Sequence, residues 1–170
     1  FLSGDKKIAE HYERASVLFA DIVGFTDLAK NMESTELVGI LDQIFTEFDR
    51  LAEHVGAEKI KTIGDAYMAV TGLPDQNKDQ VKNILELSLE MQSVLSMLCQ
   101  RHGWDLSIRI GIHCGPVTAG VIGQKKFSYD LWGNTVNIAS RLESVCKPGS
   151  VLVSKEIVEQ ARDFFQFQGT

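Results

Sequence analysis

Ala57-Glu-Lys-Ile-Lys-Thr-Ile63, Gly64-Asp65, Ala66-Tyr-Met-Ala-Val-Thr71 is the stretch on which the fold turns. Two runs of strand-forming residues are parted by two residues only, and Gly and Asp tolerate a tight turn, so the segment predicts a β-hairpin. An amphipathic helix lies on each side of it. Upstream, Ser34-Thr-Glu36 opens a helix in which Leu37, Leu41, Ile44, Phe48, Leu51 and Val55 recur at steps of three and four, until Gly56 ends it. Downstream of the loop Leu73–Asn77, Asp79–His102 repeats the pattern through Ile84, Leu87, Leu89, Met91, Val94, Leu95 and Leu98. Outside these helices lie two more apolar runs: Ser16–Val23, closed by Gly24, and Leu106–His113, alternating around Ile108, Ile110 and Ile112. The order β-α-β-β-α-β is the ferredoxin-like arrangement, an α+β fold.

Extra elements extend this core. Gly115-Pro116 predicts a turn into a further strand, Val117–Ile122. Beyond Gly123, a basic pair and Tyr129-Asp-Leu-Trp-Gly133, a third long helix is expected over Asn134–Val145, stopped by Lys147-Pro-Gly149. A short strand, Val151–Val153, and a last helix follow. Residues 1–14 are mixed and polar and read as the end of a connector from an upstream module, leaving 15–170 as one domain.

The bulk properties exclude several classes. With 170 residues, 44 % apolar and 24 % charged, the chain matches a soluble globular domain. A net charge of −6 argues against a general nucleic-acid binder, though not against a nucleotide bound with cations. Cys99, Cys114 and Cys146 are odd in number and widely spaced with no CxxC pair, which fits a reducing cytoplasm better than a disulfide framework or zinc site. No apolar run approaches the ~20 residues of a bilayer span.

Two acids stand out. Asp21 interrupts an apolar strand, and Asp65 sits at the hairpin tip. A carboxylate between Ala20 and Ile22 is costly to bury without compensation, and a divalent cation held by two converging carboxylates would supply it. The plainer reading, that Asp21 caps the next turn and Asp65 is an ordinary turn residue, stays open on these residues alone. The run Gly24-Phe25-Thr26 after the first acid is a glycine turn leading into a short helix, whose backbone N–H groups suit phosphate oxygens. Lys61 by itself reads as a solvated strand residue, Asp130 as a loop acid, and Arg141 as a partner for Glu143. Asn137 and Arg141, four apart, share one helix face. His113 and Cys114 continue an alternating strand and suggest neither a metal site nor a nucleophile, while Phe127, Tyr129 and Trp132 suit packing or subunit contacts.

Four blocks in order carry a family resemblance: Phe19-Ala-Asp-Ile-Val-Gly-Phe-Thr26, Lys61-Thr-Ile-Gly-Asp-Ala-Tyr-Met68, Arg109-Ile-Gly-Ile-His-Cys-Gly-Pro116 and Gly133-Asn-Thr-Val-Asn-Ile-Ala-Ser-Arg141. Together they resemble the successive motifs of class III adenylyl and guanylyl cyclase catalytic domains, over about residues 15–165. The resemblance implies that Asp21 and Asp65, with the backbone carbonyl of Ile22, hold two divalent cations (Mg²⁺ or Mn²⁺). It implies that Lys61 and Asp130 read the purine of ATP, and that Asn137 and Arg141 orient the ribose and stabilise the transition state. In such a family the aspartates of one protomer work with the other four residues of its partner, so a homodimer is implied, fed by an upstream regulatory or sensor domain.

The guanylyl branch of that family carries Glu and a small residue such as Cys where this sequence has Lys61 and Asp130, so the adenylyl type is expected. A guanylyl cyclase and a non-catalytic nucleotide-binding dimerisation module are the rival readings. One departure concerns a Lys that such domains place on the distal phosphates from a C-terminal strand. This sequence stops at Phe167-Gln-Gly-Thr170, before that strand, and Lys125 and Lys126 lie in a loop.

Overall fold

The computed structural model describes residues 9–123 and 125–169. Of the expected connector, residues 1–8 lie outside them. The order is β1 (Ala9–Val23), α1 (Phe25–Ala29), α2 (Ser34–Val55), β2 (Glu58–Ile63), β3 (Ala66–Thr71), α3 (Gln80–His102), β4 (Ser107–Ile122), β5 (Ser128–Trp132), α4 (Asn134–Val145), β6 (Val151–Val153) and α5 (Lys155–Ala161). The sheet runs β2-β3-β1-β4-β5, with β6 parallel to the first half of β4. Its four central strands have the ferredoxin-like order, with every neighbouring pair antiparallel.

Period-2 alternation sorts the central strands between two faces. Leu18, Ala20 and Ile22 of β1 and Ile108, Ile110 and Ile112 of β4 point into the main core, against Ile44 and Phe48 of α2, Met91 and Leu95 of α3 and Ile157 of α5. The opposite face holds a smaller core of Val17, Met68, Val70, Val117 and Leu131, reached by Ala139 of α4. Asp21 and Arg109 carry the odd parity of this second face. An acid between Ala20 and Ile22 is therefore spared the main core by register alone.

Two expectations change. Gly115-Pro116 makes no turn: β4 runs unbroken from Ser107 to Ile122. β1 is likewise longer than Ser16–Val23, because Ala9–Tyr12, expected as connector, pair with Val117–Gly120. The register shifts between Tyr12 and Ala15, opposite Gly115 and Val117. At such a bulge the ladder is locally interrupted, so Pro116, which has no N–H to donate, is tolerated inside a strand.

Gly111 sets the distance between β4 and α4. A Cβ there would lie 2.6 Å from the Ala139 carbonyl oxygen and 2.8 Å from Glu143 Cα, with Glu143 N nearer still. All three are backbone or backbone-bound atoms that cannot swing away. Gly111→Ala is expected to cost about 1–3 kcal/mol, seen as a lower urea midpoint at unchanged m-value. Among the described residues no helix is long and apolar enough to cross a membrane.

Candidate active site

The β2–β3 hairpin delivers Asp65 to Asp21. Gly64 takes a left-handed conformation (φ 58°) at the turn, and the Asp65 carbonyl accepts the Ile22 N–H at 3.2 Å. That bond ties the hairpin tip to the end of β1, where Asp21 lies opposite Ala66 of β3 on one side and Arg109 of β4 on the other. The Asp21 carboxyl is pushed up to about 7, first by burial, then by the charge of Asp65 and a hydrogen bond with it, and further by Glu143. Arg109 pulls the other way without offsetting these effects. Two carboxylates that resist joint ionisation are what a divalent cation would relieve, so the pair fits the implied metal site. Among the described residues no third His, Cys, Asp or Glu closes with them on one point.

The adjoining turn is also constrained. Gly24 (φ 93°) precedes α1, and a Cβ on it would sit 2.7 Å from the Asp105 carbonyl oxygen. Phe25 packs against the main core and Thr26 is exposed. The Ile22 side chain is buried in the core, 3 % exposed, so this residue offers the site only its backbone.

A second pair forms where the linear order gives no hint of it. Lys61 Nζ lies 2.7 Å from Asp130 Oδ2, although β2 and β5 are the opposite ends of the five-strand order. The sheet curls until its edges meet. A bulge between Lys59 and Lys61 in β2 re-aims the lysine. The Leu131 N–H donates to Asp130 Oδ1 at 2.8 Å, which fixes the carboxylate plane. Asp130 is thus a paired strand residue, not a loop acid, and Lys61 is not simply solvated. Both are partly exposed, so the ion pair stabilises the fold by only ~0.2–1 kcal/mol, which leaves its groups available to a ligand.

Asn137 and Arg141 share the exposed face of α4, while Thr135 and Ala139 turn inward. No hydrogen bond or ion pair among the described residues joins either of them to the Asp21–Asp65 pair or to the Lys61–Asp130 pair. Arg141 does not take Glu143 as partner; Glu143 instead feels Arg109 and Asp65, and burial pushes its carboxyl up. Arg109 and Glu143 are the residues that sequence reasoning left without a role. The signal for Arg109 was available: like Asp21, it is a lone charge in an apolar alternating strand. Glu143 gave none, because only the Gly111 contact brings it there.

His113 and Cys114 behave as packed strand residues. His113 Nδ1 lies 2.7 Å from Ser154 Oγ, and burial lowers its pKa. Burial raises the Cys114 thiol, which Gln160 Nε2 approaches at 3.1 Å.

The family of adenylate and guanylate cyclase catalytic domains matches residues 8–169. The chain belongs to that family. An adenylate cyclase of Mycobacterium tuberculosis is 43 % identical over 158 residues, covering 93 % of this chain and 36 % of the relative. A receptor-type guanylate cyclase of Caenorhabditis elegans, gcy-23, is 41 % identical over 159 residues, 92 % of this chain and 14 % of that protein. The domain therefore spans about a third or less of these relatives. Among solved structures, the catalytic core of a rhodopsin-guanylyl cyclase with converted specificity, in complex with ATPαS, superposes with a TM-score of 0.89 at 35 % identity, covering 94 % of this chain and 86 % of that one.

Proposed function

We propose that this cyclase domain is an adenylyl cyclase, converting ATP to 3′,5′-cyclic AMP and pyrophosphate at sites shared across a homodimer. The observation that carries the substrate choice is the Lys61–Asp130 pair. Adenine presents an amine that donates and a ring nitrogen that accepts, which Asp130 and Lys61 complement. Guanine inverts that edge. Because Lys61 and Asp130 already hold each other, the purine joins a preformed donor–acceptor pair instead of assembling one.

The ribose 3′ oxygen attacks the α-phosphorus in line, and pyrophosphate leaves. Asp21 and Asp65, with the Ile22 carbonyl, would hold two divalent cations, which when bound lower the pKa of the 3′ hydroxyl and offset phosphate charge. Gly24, Phe25 and Thr26 offer backbone N–H groups to phosphate oxygens. Asn137 orients the ribose. Arg141 keeps a planar cation on the charge that builds at phosphorus. Arg109, aligned with Asp21, is the cation beside the acids and suits the triphosphate.

The dimer reading draws on exposed aromatic surface. Phe127, Tyr129 and Trp132 on and beside β5 are 66 %, 41 % and 39 % exposed, a cluster of aromatic side chains on the surface that suits a subunit contact. The parent protein would contribute the upstream input, and the site would work on the cytoplasmic side.

The deciding assay is purified protein with ATP or GTP and Mn²⁺ or Mg²⁺, scoring both cyclic products against protein concentration. Cyclic AMP rising faster than linearly with protein supports the reading; cyclic GMP alone, or no product, refutes it. A companion variant tests the base contacts. Lys61→Glu with Asp130→Cys is expected to move preference from ATP towards GTP by about 100-fold in relative kcat/KM, at ~1–3 kcal/mol for each mismatched polar group. An unchanged preference would remove both residues from base recognition.

A further inference from the structure

Arg109 sits among more negative charge than it can satisfy. Asp21 is its register partner across the β1–β4 ladder, and the contact at Gly111, two residues along the same face of β4, brings the Glu143 backbone down beside it. Burial of Glu143 and its response to both Arg109 and Asp65 place its carboxylate within the same field. Yet Arg109 is locked to neither acid. It forms no ion pair within 4.0 Å among the described residues, and its buried Nε has no hydrogen-bond acceptor among them.

We propose that Glu143 is a positioning residue that keeps the Arg109 guanidinium at the triphosphate end of the site once cations occupy Asp21 and Asp65. The reason is electrostatic. Two divalent cations bring more positive charge than the two aspartates remove, so the attraction that holds Arg109 beside Asp21 turns to repulsion. Glu143 is not a third ligand, since the three acids do not close on one point. It anchors Arg109 from the α4 side, where the Gly111 contact sets its height. Without it the guanidinium would swing towards solvent, and the phosphates would lose a cation.

The inference rests on the cyclase reading in requiring a polyphosphate at the acid pair, and the test separates the two. Inorganic tripolyphosphate is titrated calorimetrically, at saturating Mn²⁺, into wild type, Glu143→Gln, Glu143→Asp, Arg109→Ala and the Glu143→Gln/Arg109→Ala double variant. Glu143→Gln is expected to weaken tripolyphosphate by about 10-fold, as loss of an outer-shell partner commonly does, with affinity for Mn²⁺ alone unchanged. Glu143→Asp is expected to recover most of the loss, and Glu143→Gln to add nothing on the Arg109→Ala background. In turnover, the nucleotide KM is expected to rise in parallel while kcat holds. An equal loss on the Arg109→Ala background, a loss of Mn²⁺ affinity, or full tripolyphosphate affinity in Glu143→Gln would each overturn the proposal, as would a wild type that binds no tripolyphosphate. A wild type that binds tripolyphosphate but forms no cyclic product refutes the cyclase reading while leaving the role of Glu143 measured.

Discussion

Asp21→Asn is expected to lower turnover roughly 1,000-fold and yet raise the melting temperature of the metal-free protein. The activity loss follows from the several kcal/mol that cation-held phosphate charge contributes, at tenfold per 1.4 kcal/mol. The stability gain follows from the raised carboxyl, at about 7 against an ordinary 3.8. A group whose folded pKa lies above its unfolded value favours the fold only while protonated, so its penalty is absent below about pH 4, grows to about pH 7 and is constant above. Asn removes that penalty. After screening of a partly exposed group the gain is about 1 kcal/mol, or roughly 2–4 °C for a chain of this size at pH 8, vanishing below pH 4. Mn²⁺ should invert the order, stabilising wild type and leaving the variant unmoved. Thermal melts at pH 4, 6 and 8, with and without Mn²⁺, check every element of this. A variant that melts lower than wild type at pH 8 without metal would mean that Asp21 is an ordinary structural acid.

Mixing two dead proteins is expected to restore about a quarter of wild-type specific activity. Asp21→Asn removes the acid pair and Arg141→Ala removes the transition-state cation. If each site takes its acids from one protomer and its arginine from the other, a mixed dimer has one site with both defects and one with neither. Random exchange makes half the dimers mixed, each with one good site of two. The restored activity should climb with total protein, since chains of net charge −6 repel and dimerise by mass action. Silence from the mixture, with exchange shown independently by labelled chains, would put Asp21 and Arg141 in one site of one chain. The exposed position of Arg141 on α4, without an ion-pair partner among the described residues, favours the shared arrangement.

What the sequence determined was the local structure and its order. The Gly64-Asp65 hairpin, the two long helices and the strands around them lie close to where propensity and periodicity put them, because each is specified by neighbours a few residues apart. It also determined the parity of Asp21, since alternation sends every second residue of β1 to the same face. Two local errors came from long-range causes: Gly115-Pro116 reads as a turn unless the bulge in β1 opposite it is known, and Ala9–Tyr12 are polar yet held as strand by β4. Tertiary structure alone decided the meeting of Lys61 with Asp130, because it depends on a sheet curled enough to join its two edges. It alone set Glu143 beside Arg109, because that position depends on one missing Cβ at Gly111. It alone raised the Asp21 carboxyl, because the pKa answers to burial and to charges drawn from the hairpin, from β4 and from α4. Pattern within a segment is written in nearest neighbours, whereas the electrostatics of a site are summed over residues that meet only when the chain has folded.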